Sequence, residues 1–325
     1  MGDLPSHITV NEEGPREGFQ IETAAISTNH KVALIEALSV TGVPSIQVCS
    51  FVNPKLVPGW ADADDVVTQL RTQQGVVYTA LWFNHRGIER ALAHKDKLTL
   101  GGCIHLCASE AFSIQNLHRD REANLRAMHA QTADHQRVGI AVNKISVMAA
   151  FGCNFQSDIP VSDVLQSIAD GLSIAAAHHA TITEVALADT MGWASPGRIQ
   201  AVIGAVRERW PEVQLRLHLH DTRGLGISNA WAAMQLGVSC FDTTVGGLGG
   251  CPFARQPGAS GNIATEELVL LAHEEGITTG IDLDMLLDCT ALAESIVGHP
   301  LPGALLRGGS LNSYRQKALS VAGPQ

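Results

Sequence analysis

The segment that decides the fold is QLRLHLHD, residues 214–221. Its three leucines recur at every second position, which is the period of a β-strand. His218 and His220 occupy the alternate positions, so both imidazoles project to the same, opposite face of the strand. The segment therefore predicts a strand with one face among apolar groups and two histidines at the end of the other face.

Seven further short apolar runs occur along the chain, and longer amphipathic runs separate them. Strands that alternate with helices are typical of α/β proteins with a parallel sheet, and eight such units favour a (β/α)₈ TIM barrel. A doubly wound open sheet is the main alternative. The predicted strands are Ile8–Glu13, Ser45–Ser50, Val76–Leu81, Lys97–Ala108, Val138–Ala149, Glu184–Ala188, Gln214–His220 and Ser239–Thr244.

Helices are predicted where apolar residues are spaced by three and four positions. They are Lys31–Val40, Ala61–Gln73, Arg119–Gln136, Val161–His179, Ser195–Arg209 and Ile227–Leu236, followed by Thr265–Glu274 and Leu283–Val297. Asn84 and Ser195-Pro196 mark helix starts. We expect one domain over residues 1–325, with a barrel at about 8–275 and extra C-terminal helices at about 280–325. No linker divides the chain, although two modest domains are an alternative.

The amino-acid composition indicates which kinds of molecule the protein binds. The chain is 45% hydrophobic and 17% charged, with a net charge of −10, and its Lys and Arg residues form no cluster. Because nucleic acids and anionic membranes require clustered positive charge, we expect neither as a partner and favour small molecules. No apolar run approaches the ~20 residues of a membrane span. Seven scattered cysteines, an odd number, are typical of a reducing compartment, so we expect a cytoplasmic protein.

Active sites of TIM barrels lie at the C-terminal ends of the strands. The polar residues that the predicted strands place there are Arg16, Glu17, Gln47, Ser109, Glu110, Asp189, Thr190, His218 and His220, together with the glycine-rich loop after strand eight. Taken alone, each motif has a plainer interpretation: a charged turn around Glu17, or histidines that are satisfied in the core or exposed at the surface.

A combination of these residues points to a metal. A carboxylate, two imidazoles and an amide oxygen at one barrel mouth would form a mixed oxygen and nitrogen site, which favours Mg²⁺ or Mn²⁺ and leaves Zn²⁺ and Co²⁺ open. The glycine-rich loop runs from Gly246 to Phe253 and resumes at Gly258. Its Cys251 is expected to reach solvent. The loop is either a segment that approaches a ligand or a flexible surface loop, and it lacks the Gly-Lys-Ser/Thr of a phosphate-binding loop.

These motifs resemble the 3-hydroxy-3-methylglutaryl-CoA lyase family, metal-dependent TIM-barrel lyases within the DRE-TIM metallolyase group. The resemblance runs through most of the chain, and the Gly-Leu-Gly-Gly-Cys-Pro loop is its most specific part. The matching segments are 14–20, 50–55, 108–110, 189–192, 218–222 and 246–265.

The resemblance implies a chemistry for these residues. Glu17, His218, His220 and Asn262 would hold the metal, Arg16 would face the thioester carbonyl, and Cys251 would protonate an acetyl-CoA enolate beneath a closing loop. The base is Asp189 or His218. Gln47, Ser109, Glu110 and Thr190 would contact an acyl-CoA thioester, which would be cleaved to acetyl-CoA and a keto acid. A homo-oligomer is also implied.

The chain departs from the family pattern at three places. Glu17 stands where the family normally has Asp, Gln47 stands where it normally has Glu, and the segment Ala254–Pro257 lengthens the loop. These departures keep sister substrates open, namely citramalyl-CoA or another 3-hydroxy-3-alkylglutaryl-CoA. A condensing acyltransferase and a non-catalytic CoA-ester-binding barrel are further alternatives.

Overall fold

A computed structural model of the chain describes residues 4–22, 25–250, 259–312 and 314–315. One eight-stranded sheet contains all the strands, in the order β3-β2-β1-β8-β7-β6-β5-β4, and the paired strands run parallel. The strands are β1 Thr9–Glu12, β2 Ser45–Ser50, β3 Val77–Leu81, β4 Gly102–Cys107, β5 Val142–Met148, β6 Glu184–Ala188, β7 Gln214–His218 and β8 Cys240–Thr243.

The strand order confirms the predicted TIM barrel. Apart from β3 and β4, strands that are consecutive in the chain pair with each other, and β1 also pairs with β8, so the sheet has no switch point of the doubly wound kind. In the described part of the chain no strand ladder joins β3 and β4. Instead Thr99, just before β4, donates its N–H to the carbonyl oxygen of Tyr78 in β3 at 2.8 Å. We call this junction the β3–β4 seam.

In the described part of the chain α-helices alternate with the strands, and further α-helices follow β8. They are α1 Phe19–Ile21, α2 Thr28–Ser39, α3 Ala63–Gln69, α4 His85–Leu92, α5 Glu110–Leu117, α6 Arg121–Arg137, α7 Val161–Ala177, α8 Pro196–Arg209, α9 Gly226–Met234, α10 Thr265–Glu274, α11 Leu283–Val297 and α12 Leu305–Gly308. The predicted caps are present, since Asn84 and Ser195 accept a backbone N–H through their side chains. No helix of the described residues combines the length and apolarity that a membrane span needs.

Two strands, β4 and β5, begin several residues later than predicted. Lys97 and Leu98 donate their N–H groups to the carbonyl of His94, so they close the turn after α4 instead of beginning β4. Val138 and Ile140 likewise bond to the carbonyl of His135 after α6. The predictions Lys97–Ala108 and Val138–Ala149 were wrong at these starts, because apolar residues that anchor a turn resemble the first residues of a strand.

The inward face of the barrel is polar below the site. Arg216 of β7 donates to Asp242 of β8 at 3.2 Å and to Glu184 of β6 at 2.8 Å. Asn11 of β1 donates to the same Asp242 oxygen at 3.1 Å. Buried charges are tolerated when they are paired and hydrogen-bonded, and this network links the inner faces of four strands. It lies directly beneath His218, which pairs with Asp242 in the β7–β8 register.

Glu12 joins the loops that carry the site. Its carboxyl group is fully buried and accepts hydrogen bonds from Gly14 N at 2.7 Å, Val245 N at 2.9 Å and Thr265 Oγ1 at 2.5 Å. One side chain thus connects the turn after β1 with the loop after β8 and the start of α10. Burial raises the pKa of Glu12 to about 7, and the three hydrogen bonds only partly oppose that rise.

Replacing Glu12→Gln is expected to flatten the pH dependence of the free energy of unfolding. The unfolded carboxyl releases its proton near pH 4.5, whereas the folded one keeps it up to about 7. The stability from this proton is therefore complete below pH 4.5 and lost as the pH rises to about 7. Urea unfolding across this range measures the effect. Glu275→Gln, at an exposed position, is the matched control, and equal pH slopes for Glu12→Gln and wild type would contradict the assignment.

Candidate metal centre

The turn after β1 positions Glu17. This single π-helical turn, Gly14–Gly18, has Pro15 as its second residue and lies against the loop after β8. A Cβ atom at Gly18 would be 2.7 Å from the Cβ of Leu248, which is closer than real Cβ contacts, so glycine permits this approach. Gly249, at φ +88°, brings the same loop against Glu17 and Asn262. The two loops therefore meet beside the Glu17 carboxylate.

β7 and the segment before α10 position the other three predicted ligands. His218 ends β7, and an isolated bridge pairs His220 with Asn262. Glu17 Oε1 lies 3.6 Å from His218 Nε2, 3.8 Å from His220 Nε2 and 2.9 Å from Asn262 Nδ2. The structure thus brings together the four residues that the sequence singled out, although they are as much as 245 positions apart.

Several polar atoms at this point are buried without a partner. Both ring nitrogens of His220 and Oδ1 of Asn262 have no hydrogen bond within the described residues. Such atoms are rare in folded proteins unless an ion or water satisfies them. A carboxylate oxygen, two imidazole nitrogens and an amide oxygen are also donors that a divalent cation accepts. The residues present therefore fit a divalent metal ion.

Charged groups around the site shift the pKa values of His218 and Glu17 in opposite directions. Burial disfavours a charged His218, but the carboxylates of Glu17, Asp242 and Glu13 outweigh burial and hold the pKa of His218 well above its usual value. Burial would likewise raise the pKa of Glu17, but His218 and Arg16 hold it well below its usual range. Without a metal, an imidazolium and a carboxylate stabilise each other here. Metal binding must then release the imidazole proton, so metal affinity rises with pH.

Two carboxyl groups lie behind His218. Its Nδ1 is 3.5 Å from Asp242 Oδ2 and 3.8 Å from Glu13 Oε2. A histidine that binds a metal through one nitrogen usually donates its other N–H to such an oxygen, which fixes the ring. This arrangement turns His218 Nε2 toward Glu17 and His220.

Arg16, Gln47 and Glu13 form a closed set of hydrogen bonds, which we call the Arg16 ring. Arg16 donates from Nε to Gln47 Oε1 and from Nη2 to Glu13 Oε2, the latter at 2.5 Å. Gln47 completes the ring by donating from Nε2 to Glu13 Oε1 at 3.3 Å. The remaining nitrogen, Nη1, lies 3.1 Å from Glu17 Oε2. Burial raises the pKa of Glu13 to about 7, and Arg16 opposes the rise.

Asp189 and Thr190 follow β6. Asp189 Oδ1 accepts the N–H groups of Trp193 and Ala194, whereas the buried Oδ2 has no partner in the described part of the chain. Burial raises the pKa of Asp189, and His220 counts among the groups that oppose the rise, so the two side chains are electrostatic neighbours. Thr190 Oγ1 accepts the N–H of Ala149 at 2.9 Å.

The remaining predicted residues lie in other surroundings. Buried Ser109 caps α5, since its Oγ accepts the N–H of Phe112 at 3.1 Å and donates to Gln156 at 3.0 Å. Exposed Glu110 accepts the N–H of Arg121 at 3.3 Å. Substrate contact by Ser109 and Glu110 stays a prediction. Cys251 and the lengthened segment 254–257 lie outside the described residues.

Sequence reasoning missed Glu13 and Asp242 as members of the site. A signal existed for Asp242, since it is a lone acid within the predicted strand Ser239–Thr244 and near its C-terminal end. For Glu13 the signal was ambiguous, because Glu12 precedes it and either carboxyl could have faced the barrel. The register of β1 against β8 decides this: Asn11 pairs with Asp242, so the odd-numbered residues of β1 face inward.

Several known proteins are similar to this chain over most of its length. Hydroxymethylglutaryl-CoA lyase YngG of Bacillus subtilis is 36% identical over 93% of this chain and 97% of its own length. The (R)-citramalyl-CoA lyase of Chloroflexus aurantiacus is 35% identical over 93% of this chain and 95% of its own. The structure of an HMG-CoA lyase from Acinetobacter baumannii in complex with coenzyme A and 3-methylmalate has a TM-score of 0.84 at 34% identity, and covers 95% of this chain and 97% of that one.

The model of one protein family matches residues 7–293 of this chain, which include every strand of the barrel and all four residues around the candidate metal position. The chain belongs to the HMGL-like family.

Proposed function

We propose that the protein is a divalent-metal-dependent lyase that cleaves a 3-hydroxy-3-methylglutaryl-CoA-like 3-hydroxyacyl-CoA to acetyl-CoA and a keto acid. The observation that carries the proposal is the convergence of Glu17, His218 and His220 on one point beside Asn262, whose buried Oδ1 has no hydrogen-bond partner among the described residues. Relatives that are 36% identical and named hydroxymethylglutaryl-CoA lyases support the reaction class.

Glu17, His218, His220 and Asn262 hold the metal in this proposal, with Mg²⁺ or Mn²⁺ favoured by the two oxygen ligands. A divalent ion bound there supplies a Lewis acid that polarises the substrate hydroxyl and lowers its pKa. Asp242 and Glu13 orient His218 from behind, since both carboxyl groups lie within 3.8 Å of its Nδ1. Glu17, His218 and His220 thus already face one another, whereas Asn262 turns its Nδ2 toward Glu17 and would rotate its amide to offer Oδ1 to a metal.

A base must remove the hydroxyl proton of the substrate. Asp189 and His218 are the two candidates, and the surroundings favour Asp189. Carboxylates flank both nitrogens of His218, whereas Asp189 keeps one buried oxygen without a partner in the described residues. Burial raises the pKa of Asp189 above its usual value, which makes its carboxylate a stronger base than an exposed one.

Cleavage leaves the bonding electron pair on the acetyl-CoA carbon as an enolate. Arg16 is positioned near the metal ligands by the Arg16 ring, and its permanently charged guanidinium can stabilise the enolate oxygen. The thiol of Cys251 then gives its proton to the enolate carbon. Gln47 contributes by holding Arg16, and Thr190 lies beside Asp189 to contact the substrate.

The proposal does not fix the acyl group of the CoA ester that the protein cleaves. The similarity to a citramalyl-CoA lyase makes citramalyl-CoA the main alternative substrate, and a larger 3-hydroxy-3-alkylglutaryl-CoA is a further one. Turnover of a panel of these esters with Mg²⁺ and Mn²⁺ decides among them. Metal and ester binding without turnover on the whole panel would favour a non-catalytic barrel. A cytoplasmic location and a homo-oligomeric assembly stay predictions.

Loss of a metal ligand is expected to reduce metal binding. Removing a hydrogen-bond partner of a metal ligand typically weakens metal affinity roughly 10–100-fold. His220→Ala and Asn262→Ala remove a ligand itself, so each should weaken Mn²⁺ affinity by at least that factor. Isothermal titration of Mn²⁺ into metal-free protein measures this without substrate. His129→Ala, at an exposed position on α6, is the matched control. Unchanged Mn²⁺ affinity in both site variants would contradict the ligand assignment.

Cys251→Ala is expected to separate metal binding from turnover. Because a general acid contributes roughly 10²–10⁴-fold to rate, kcat should fall by that factor while Mn²⁺ affinity stays within error. Steady-state release of acetyl-CoA measures the change. Cys289→Ala in α11 keeps Cys251 and should retain kcat. If Cys251→Ala turned over like wild type, the thiol would not be the proton donor.

Asp189→Asn tests the base. The amide keeps an oxygen to accept the N–H groups of Trp193 and Ala194, so the local fold should persist, but it cannot accept the hydroxyl proton. We expect kcat to fall by roughly 10²–10⁴-fold with KM nearly unchanged. Asp158→Asn, at an exposed position, is the control. A normal kcat in Asp189→Asn would assign the base to His218 instead.

A further inference from the structure

The Arg16 ring has a property that single contacts lack. Arg16 donates two N–H groups into it, the side chain at position 47 accepts one hydrogen bond and donates one, and the side chain at position 13 accepts two. The side chains of Arg16 and Glu13 are 11% and 10% exposed, so water has little access to their polar ends. The hydrogen-bonding pattern is therefore satisfied chiefly by the three residues themselves.

The pattern survives an exchange of the carboxyl and the amide group. With Glu at position 47 and Gln at position 13, the glutamate accepts from Arg16 Nε, the glutamine donates its amide N–H to that glutamate, and the glutamine oxygen accepts from Arg16 Nη2. All three hydrogen bonds and the net charge are preserved. Glu and Gln also have the same length, so neither backbone position must move.

Other combinations break the ring. If positions 13 and 47 both carry an amide, Arg16 loses its ion pair with Glu13. Glu17, at 3.1 Å from Arg16 Nη1, is then the remaining carboxylate among its described partners. Because Glu17 Oε1 also faces His218 and His220, a stronger pull from Arg16 draws this carboxylate away from them. Two carboxyl groups instead place two acceptor oxygens at the position of the 3.3 Å contact between Gln47 and Glu13, where like charges repel.

We propose that Glu13 is a positioning residue that keeps Arg16 directed at the reacting thioester and keeps its contact with Glu17 from tightening, and that positions 13 and 47 work as a pair carrying one carboxyl group, at either of the two positions. This inference rests on the proposed function for the role of Arg16. The pair itself rests on the hydrogen bonds of the ring.

The test compares wild type with Glu13→Gln, Gln47→Glu and the double variant E13Q/Q47E. Each single variant should lose roughly 10–100-fold in kcat, the rate equivalent of one charge-assisted hydrogen bond. E13Q should also bind Mn²⁺ more weakly, because Glu17 is drawn toward Arg16. The double variant should recover kcat and Mn²⁺ affinity to near the wild-type values. Glu36→Gln, whose partner is the surface residue Arg71, is the control.

Melting temperature, kcat, KM and Mn²⁺ affinity are measured for every variant with the ester that wild type cleaves fastest. Recovery of kcat in the double variant is a result that a merely structural role for Glu13 would not produce. A double variant no better than the worse single variant, at unchanged melting temperature, overturns the pairing. Full activity in both single variants overturns it as well.

Two outcomes separate this inference from the proposed function. If wild type cleaves no ester, the proposed function fails, and the Mn²⁺ affinities alone then decide whether E13Q weakens the site and E13Q/Q47E restores it. If E13Q does not fold, the comparison of E13Q/Q47E with Gln47→Glu remains. Higher kcat and melting temperature in the double variant support the pair, and equal or lower values contradict it.

Discussion

The arrangement of the site depends on the contact between the turn after β1 and the loop after β8. Two glycines allow the backbones to approach, and Glu12 joins both loops and α10 by three hydrogen bonds beneath them. Because this contact places Glu17 against Asn262, residues from opposite ends of the chain share one small volume. Without it, the histidines at the end of β7 would face a carboxylate held only by a flexible turn.

A buried network of charged and polar side chains lies inside the barrel beneath this contact. Most TIM barrels fill the interior with branched apolar side chains, but here Arg216, Glu184, Asp242 and Asn11 form a buried network. Asp242 belongs both to that network and to the surroundings of His218. The charge on Asp242 therefore links the candidate metal centre to the middle of the barrel. A substitution at Arg216 would change the surroundings of Asp242, and through this carboxylate the surroundings of His218.

Much of this could be predicted from the sequence, because alternation in a strand determines which side chains share a face. The segment 214–221 indicated a strand with two histidines on one face, and the helices Thr265–Glu274 and Leu283–Val297 have the predicted bounds. What the sequence did not indicate depends on longer-range geometry. The inward position of Glu13 follows from strand register, and the expectations from sequence did not include the helix cap that Ser109 also forms.

The β3–β4 seam lies as far around the barrel wall from the candidate metal centre as the strand order allows. β1, β8 and β7, which lead to Glu17, Asn262 and the histidines, stand at the centre of that order, and β3 and β4 stand at its two ends. Fluctuations that open the wall concentrate where its hydrogen bonds are fewest. We therefore expect the barrel wall to open more readily at the seam than on the opposite side, where Glu17, Asn262 and the two histidines meet.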